Sequence, residues 1–115
     1  MNLKFEENNM SMIMIDNDNF QKEVLEDKEF KLLVFGAQWC GQCKVLKPAV
    51  MEYGTAHPEI KICLHDVEQA TDAAEKLNVK SIPCVIIMKD GSEIARRNGA
   101  MSARQLNDFI EKNLE

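Results

Sequence analysis

The most specific chemistry in this chain sits in the run Trp39-Cys40-Gly41-Gln42-Cys43. Val45, Leu46, Ala49, Val50 and Tyr53 follow at helical spacing, so the two cysteines open a helix. Thiols three residues apart at a helix start can close a disulfide with little backbone change. The first is expected to face solvent beside unpaired N–H groups and the positive end of the helix dipole. Both favour the thiolate, the attacking species in disulfide exchange. Cys40 is therefore read as the nucleophile. Cys43, almost one turn inside and shielded, is read as the resolving thiol. Gly41 keeps the neighbouring N–H groups accessible. The plainer alternative is a pair of core cysteines.

Two further cysteines, Cys63 and Cys84, complete the set. Cys63 lies in an alternating run opposite Ile62 and Leu64 and reads as a small buried hydrophobe. Cys84 follows Pro83; it is either the first inward residue of a strand, or a third reactive thiol or tuning group near Cys40. Zinc ligation usually takes a second close cysteine pair, which is missing, and His57 and His65 stand at unhelpful positions. No metal site is expected.

The elements that must position the pair follow from periodicity. Residues 12–15 form a short strand. Residues 16–19 offer capping side chains, and Phe20, Val24 and Leu25 give a helical stripe to about Asp27. The run 32–35 (LLVF) is a central strand buried on both faces. Pro48 kinks the helix after the cysteines, and His57-Pro58 ends it. Ile60, Ile62 and Leu64 alternate as a strand, and Ala70, Ala73, Ala74 and Leu77 line a third helix. Residues 84–88 (CVIIM) form another apolar strand, which Lys89-Asp90-Gly91-Ser92 turns into an edge strand at 93–97. Ser102 and Gln105 make a capping box before a helix lined by Leu106, Phe109 and Ile110. The order β-α-β-α-β-α-β-β-α predicts an α/β fold, a mixed sheet of about five strands with helices on both faces.

The chain has 115 residues, 45% of them hydrophobic, enough for one core. Net charge is -5, and the excess is local: residues 1–30 hold eight acids against three bases. No basic patch suits nucleic acid or an anionic membrane. Residues 1–11 read as a flexible N-terminal extension, and residues 12–115 as the domain. The apolar run at 10–15 is too short and too acidic in its approach for a secretory signal, so the chain is read as cytoplasmic. Nothing indicates a homo-oligomer, and a monomer is expected. The seven methionines read as packing, and Lys44 and Lys47 as a solvated face with a possible docking role.

Over residues 12–114 the sequence resembles the thioredoxin family. The resemblance rests on the active-site-like segment 37–44, the helix kink at Pro48, the loop Ser81-Ile82-Pro83, the hairpin Lys89-Asp90-Gly91, and Gly99 before the last helix. It implies a thioredoxin-like fold and a protein-disulfide reductase cycling between dithiol and disulfide. Cys40 would attack a target disulfide and Cys43 would resolve it. Trp39, Gly41, Gln42, Ile82, Pro83 and Gly99 would hold the target, with a cis proline at Pro83. Disulfide-containing proteins would be the targets and an NADPH-dependent flavoprotein reductase the electron donor; no cofactor is implied.

Four positions depart from the family pattern. Val34 replaces a buried carboxylate that assists the resolving thiol, and Leu64 replaces a lysine near it. Losing both together leaves an apolar site without an orphan charge. Gln42 replaces a proline and restores an N–H beside the sulfurs. Gly36 replaces a bulky aromatic, loosening the packing behind Trp39. These departures keep a second reading open, a thioredoxin-fold binding module or redox switch with little reductase activity.

Overall fold

The computed structural model describes residues 12–114. The extension expected at 1–11 lies outside the described residues. Five strands, β1 (Met12–Ile15), β2 (Lys31–Gly36), β3 (Lys61–Asp66), β4 (Cys84–Lys89) and β5 (Ser92–Asn98), form one sheet in the order β1-β3-β2-β4-β5. β1 and β2 run parallel to β3, while β4 is antiparallel to β2 and to β5. Four helices accompany them: α1 (Gln21–Leu25), α2 (Gly41–Ala56), α3 (Thr71–Lys76) and α4 (Ala103–Glu111). The mixed α/β sheet is the one periodicity predicts, with β2 at its centre.

Alternation along the strands divides the core in two. Leu32, Ile62, Val85 and Ile87 meet Leu46, Val50 and Tyr53 of α2 and Leu106 and Ile110 of α4. Leu33, Phe35, Cys63 and Ile86 meet Phe20, Val24 and Ala73 on the other face. The β4–β5 turn has positive φ at both Asp90 (54°) and Gly91 (83°). That twist suits a two-residue hairpin, and glycine adopts it without a Cβ penalty. Ser102 and Gln105 form the expected box: the Gln105 N–H donates to Ser102 Oγ (3.1 Å) and the Ser102 N–H to Gln105 Oε1 (2.9 Å).

The polar segment before α1 forms a reciprocal cap: Asp16 Oδ1 accepts from the Asp18 and Asn19 N–H groups, the Asp16 N–H donates to Asn19 Oδ1, and the Phe20 N–H donates to Asp16 O. Asn19 Nδ2 also donates to Met14 O. The helix that follows is shorter than expected, a single turn of π type. Asn17 reaches 55 residues along the chain, where its Oδ1 accepts from the Asp72 N–H at the start of α3. Two lysines tie α1 and the loop after it to the sheet. Lys31 is fully buried and donates to the carbonyls of Asp27 and Glu29. Lys61 Nζ pairs with Glu23 Oε1 (2.9 Å) and Asp27 Oδ2 (2.6 Å).

His65 gives the fold an acid-sensitive joint. Its ring stacks on Phe35 at 4.0 Å and meets Phe20 edge-on at 6.4 Å. Nδ1 lies 3.0 Å from Cys63 O, while the buried Nε2 has no partner among the described residues. Burial pushes its pKa down to about 4, against the smaller pull of the Val34 and Cys63 carbonyls. The unfolded chain binds that proton near pH 6.5, and the folded chain does not until about pH 4. Stability from this group is complete above pH 6.5 and is lost as pH falls to about 4, by about 3 kcal/mol. Urea melts at pH 7 and pH 4.5 should show most of this loss, and His65→Leu should remove it. An equal acid loss in the variant would assign the sensitivity elsewhere.

Candidate active site

The strand β2 ends at Gly36, and a short loop delivers Cys40 to the N-cap of α2 in extended conformation (φ -88°, ψ 116°). The sulfur does the work a serine or aspartate oxygen does at other helix starts: the Cys43 N–H donates to Cys40 Sγ at 3.2 Å. Cys40 and Cys43 are joined as a disulfide, with Cα atoms 5.3 Å apart. One helix start thus supplies the first sulfur with a hydrogen bond and a positive dipole end, both of which favour its thiolate once the disulfide is opened.

Taken as whole residues, Cys40 is 8% exposed and Cys43 is half-buried. Gly36 leaves the flank of Cys43 bare: a Cβ at Gly36 would stand 3.1 Å from Cys43 Sγ. A groove of about 450 Å3 opens there, walled by Val34, Leu64, Leu46, Cys43 and Pro83. Val34 and Leu64 are register partners across β2 and β3. The two apolar replacements therefore lie side by side in the wall that also holds Cys43.

The remaining residues singled out by sequence gather around the pair to differing degrees. The Ile82–Pro83 bond is cis. The Gly99 N–H donates to Pro83 O at 2.8 Å. Gly99 has φ 95°, and a Cβ there would lie 4.0 Å from Gln42 Oε1, which places Gln42 against this loop. Ile82 is half-buried and packs into the second core cluster. Gly41 is exposed, with open space where a side chain would point. Trp39 is 67% exposed, and its Nε1 donates to Glu68 Oε2 at 2.9 Å. Glu68 escaped sequence reasoning; it stands 29 residues from Trp39, in the turn after β3, with nothing in its spacing to mark it.

The other thiols are packed away. Cys63 and Cys84 are fully buried and unpaired, both in the cluster on the face opposite α2. Burial pushes the Cys63 thiol up to about 11 and raises Cys84 as well. Both therefore stay protonated and unreactive near neutral pH.

The site is thus a disulfide at a helix start, beside a cis-proline loop, on a five-stranded mixed sheet. The family model described as Thioredoxin matches residues 11–112.

The chain belongs to the thioredoxin family.

Its relatives include a thioredoxin of Buchnera aphidicola subsp. Schizaphis graminum, 33% identical over 105 residues that span 90% of this chain and 97% of that one. Thioredoxin C-2 of Corynebacterium nephridii is 32% identical over the same shares. The thioredoxin of Pseudomonas aeruginosa is 29% identical over 104 residues, 90% of this chain and 96% of that one. This member of the thioredoxin family is a thiol–disulfide oxidoreductase that reduces protein disulfides through a CxxC dithiol/disulfide cycle. Among the described residues no helix is long and apolar enough to cross a membrane.

Proposed function

We propose that Cys40 attacks the target disulfide and that Cys43 resolves the product. The observation that carries this assignment is the Cys43 N–H bond to Cys40 Sγ at the start of α2. The Cys40 thiolate displaces one sulfur of the target, which leaves as a thiolate, and a mixed disulfide forms on Cys40. Cys43 then loses its proton and attacks Cys40 Sγ. The second target sulfur leaves, and the Cys40–Cys43 disulfide closes. Two electrons pass from the dithiol to the target. Val34 and Leu64 offer Cys43 no base, so its proton passes to water in the groove.

Trp39, Gly41, Gln42, Ile82, Pro83 and Gly99 form the surface on which the target backbone rests. The exposed indole of Trp39, held by Glu68, and the Pro83–Gly99 bond beside Gln42 support this reading. An NADPH-dependent flavoprotein reductase returns the electrons, which places the protein in electron transport and redox homeostasis. The two free buried thiols suit the reducing cytoplasm. We assign these roles to a monomeric domain spanning residues 12–115.

Trapping tests the assignment. The Cys43→Ser chain, incubated with cell extract, should hold target proteins as mixed disulfides on Cys40, identified by peptide mass. Adducts carried instead by Cys63 or Cys84 would refute it.

Gln42 bears on the redox poise. Its backbone N–H is a second donor at the start of α2 that a proline would remove. Gln42→Pro should therefore weaken the Cys40 thiolate and lower the reduction potential, by about 30 mV for every ~1.4 kcal/mol of lost stabilisation. A redox titration placing the variant above the native chain would contradict this.

A further inference from the structure

Met14 on β1 is 63% exposed and Met51 on α2 is 40% exposed. Large apolar side chains left open to water cost free energy, and these two line one groove, of about 450 Å3, between the sheet and α2. Val34, Leu46, Val50 and Leu64 continue its walls inward. Gly36 brings only backbone to it, although Gly36 is not among the glycines of positive φ and the chain there does not require one. Charge stands at the edge. Lys44 and Lys47 are exposed and one turn apart on α2, and Asp66 at the end of β3 is the one carboxylate among the lining residues. His65, also in the lining, is buried and neutral at pH 7, since burial pushes its pKa down to about 4. The edge therefore carries one positive charge in excess.

We propose that this groove binds a small aromatic monocarboxylate, and that its occupancy slows the resolving step at Cys43. The volume falls in the range of small-molecule sites. Thioethers contact aromatic rings favourably, and Met14 and Met51 supply two at the mouth. The bare backbone at Gly36 lets a flat ring approach closely. The single excess positive charge matches one carboxylate, held by Lys44 and Lys47 with the ring directed inward. Binding forms no covalent bond and moves no electron. The slowing rests on the reading that Cys43 resolves the mixed disulfide and gives its proton to water in this groove. A ring lodged there displaces that water from the wall that Cys43 shares.

The probes are 3-phenylpropionate, its neutral counterpart 3-phenylpropanamide, and hexanoate. Each is titrated at low salt into the oxidised chain and followed by the backbone amide signals in NMR. 3-Phenylpropionate should move the signals of Gly36, Ala37 and Leu64 and leave those of Ala103 and Asn107, in the other groove between α2 and α4, in place. It should bind about threefold more tightly than the amide, a preference that Lys44→Gln/Lys47→Gln removes. It should also bind about threefold more tightly than hexanoate. Met14→Ser/Met51→Ser, at exposed positions that leave the fold intact, should weaken binding about fivefold. Gly36→Phe should abolish it by filling the space; if that chain does not fold, the surface substitutions decide. Shifts centred elsewhere, equal affinity for the acid and either comparison compound, or no response to the methionine substitutions would overturn the site. Closure of the Cys40–Cys43 disulfide after mixing the reduced chain with insulin is then timed by acid quench. Saturating 3-phenylpropionate should slow closure about threefold or more, and the same concentration should slow Met14→Ser/Met51→Ser less. Binding as mapped with an unchanged closure rate would refute the slowing. No closure in the ligand-free chain would refute the reading of the cysteine pair, while the amide titration still decides the site.

Discussion

Cys40→Ser is expected to reduce insulin-disulfide turnover by at least about 1,000-fold, because no other thiol in the chain can replace it. Cys63 and Cys84 are sealed in the core on the far face of the sheet and held protonated by burial. Serine can still accept the Cys43 N–H, so helix α2 keeps its cap and the fold survives. The loss is therefore chemical. Cys43→Ser should give a comparable loss of turnover by a different route: the first attack proceeds, and the product stays attached to Cys40. Turnover above a tenth of native in Cys40→Ser would show that Cys43 can initiate the exchange with a protein target unaided.

The second large effect concerns Val34→Asp. Position 34 faces Leu64 across the parallel β2–β3 register and Val85 across the antiparallel β2–β4 register, in the wall of the groove beside Cys43. A carboxylate there sits among apolar neighbours, with water reaching it from the groove. We expect a stability loss at pH 7 of about 1–3 kcal/mol. Desolvation raises the pKa of such a carboxyl above its unfolded value. The ionisation part of the penalty is thus absent below about pH 4, grows as pH rises to the shifted value and is constant above it, while the cost of burying the neutral carboxyl remains at every pH. Leu64→Lys added to Val34→Asp should recover part of the loss at neutral pH, since the two positions are direct neighbours. Kinetically, the carboxylate supplies Cys43 with the base it lacks. The pH–rate profile of disulfide reduction should gain a step at the new carboxyl's pKa, with faster turnover above it. Urea melts at pH 4 and pH 7 and turnover from pH 5 to 9 check both parts. An unchanged profile would mean that Cys43 sheds its proton without limiting the reaction.

Much of this arrangement was legible in the sequence because it depends on local chemistry. Alternating apolar residues define β3, continuous ones define β2 and β4, and the cysteine spacing at a helix start follows from residues within one turn of each other. The division of Cys63 from Ile62 and Leu64 is a consequence of strand periodicity alone. What escaped depends on residues that meet only after folding. Glu68 holds Trp39 across 29 residues, and Asn17 caps α3 across 55. Lys31, a charged residue that reads as surface, is fully buried because the backbone carbonyls of Asp27 and Glu29 turn toward it. The closeness of Gly36 to Cys43 is another such meeting: a Cβ at Gly36, at the end of β2, would stand 3.1 Å from Cys43 Sγ on α2.

Reduction runs by direct transfer of two electrons from the dithiol of Cys40 and Cys43 to a protein disulfide. Mixing the reduced chain with a limiting amount of insulin, quenching with acid and alkylating, then mapping both proteins by mass, measures this transfer bond for bond. One Cys40–Cys43 disulfide should appear for each insulin disulfide opened, with Cys63 and Cys84 still alkylated as free thiols after unfolding. Insulin disulfides opened while Cys40 and Cys43 remain reduced, or no transfer at all, would contradict the account.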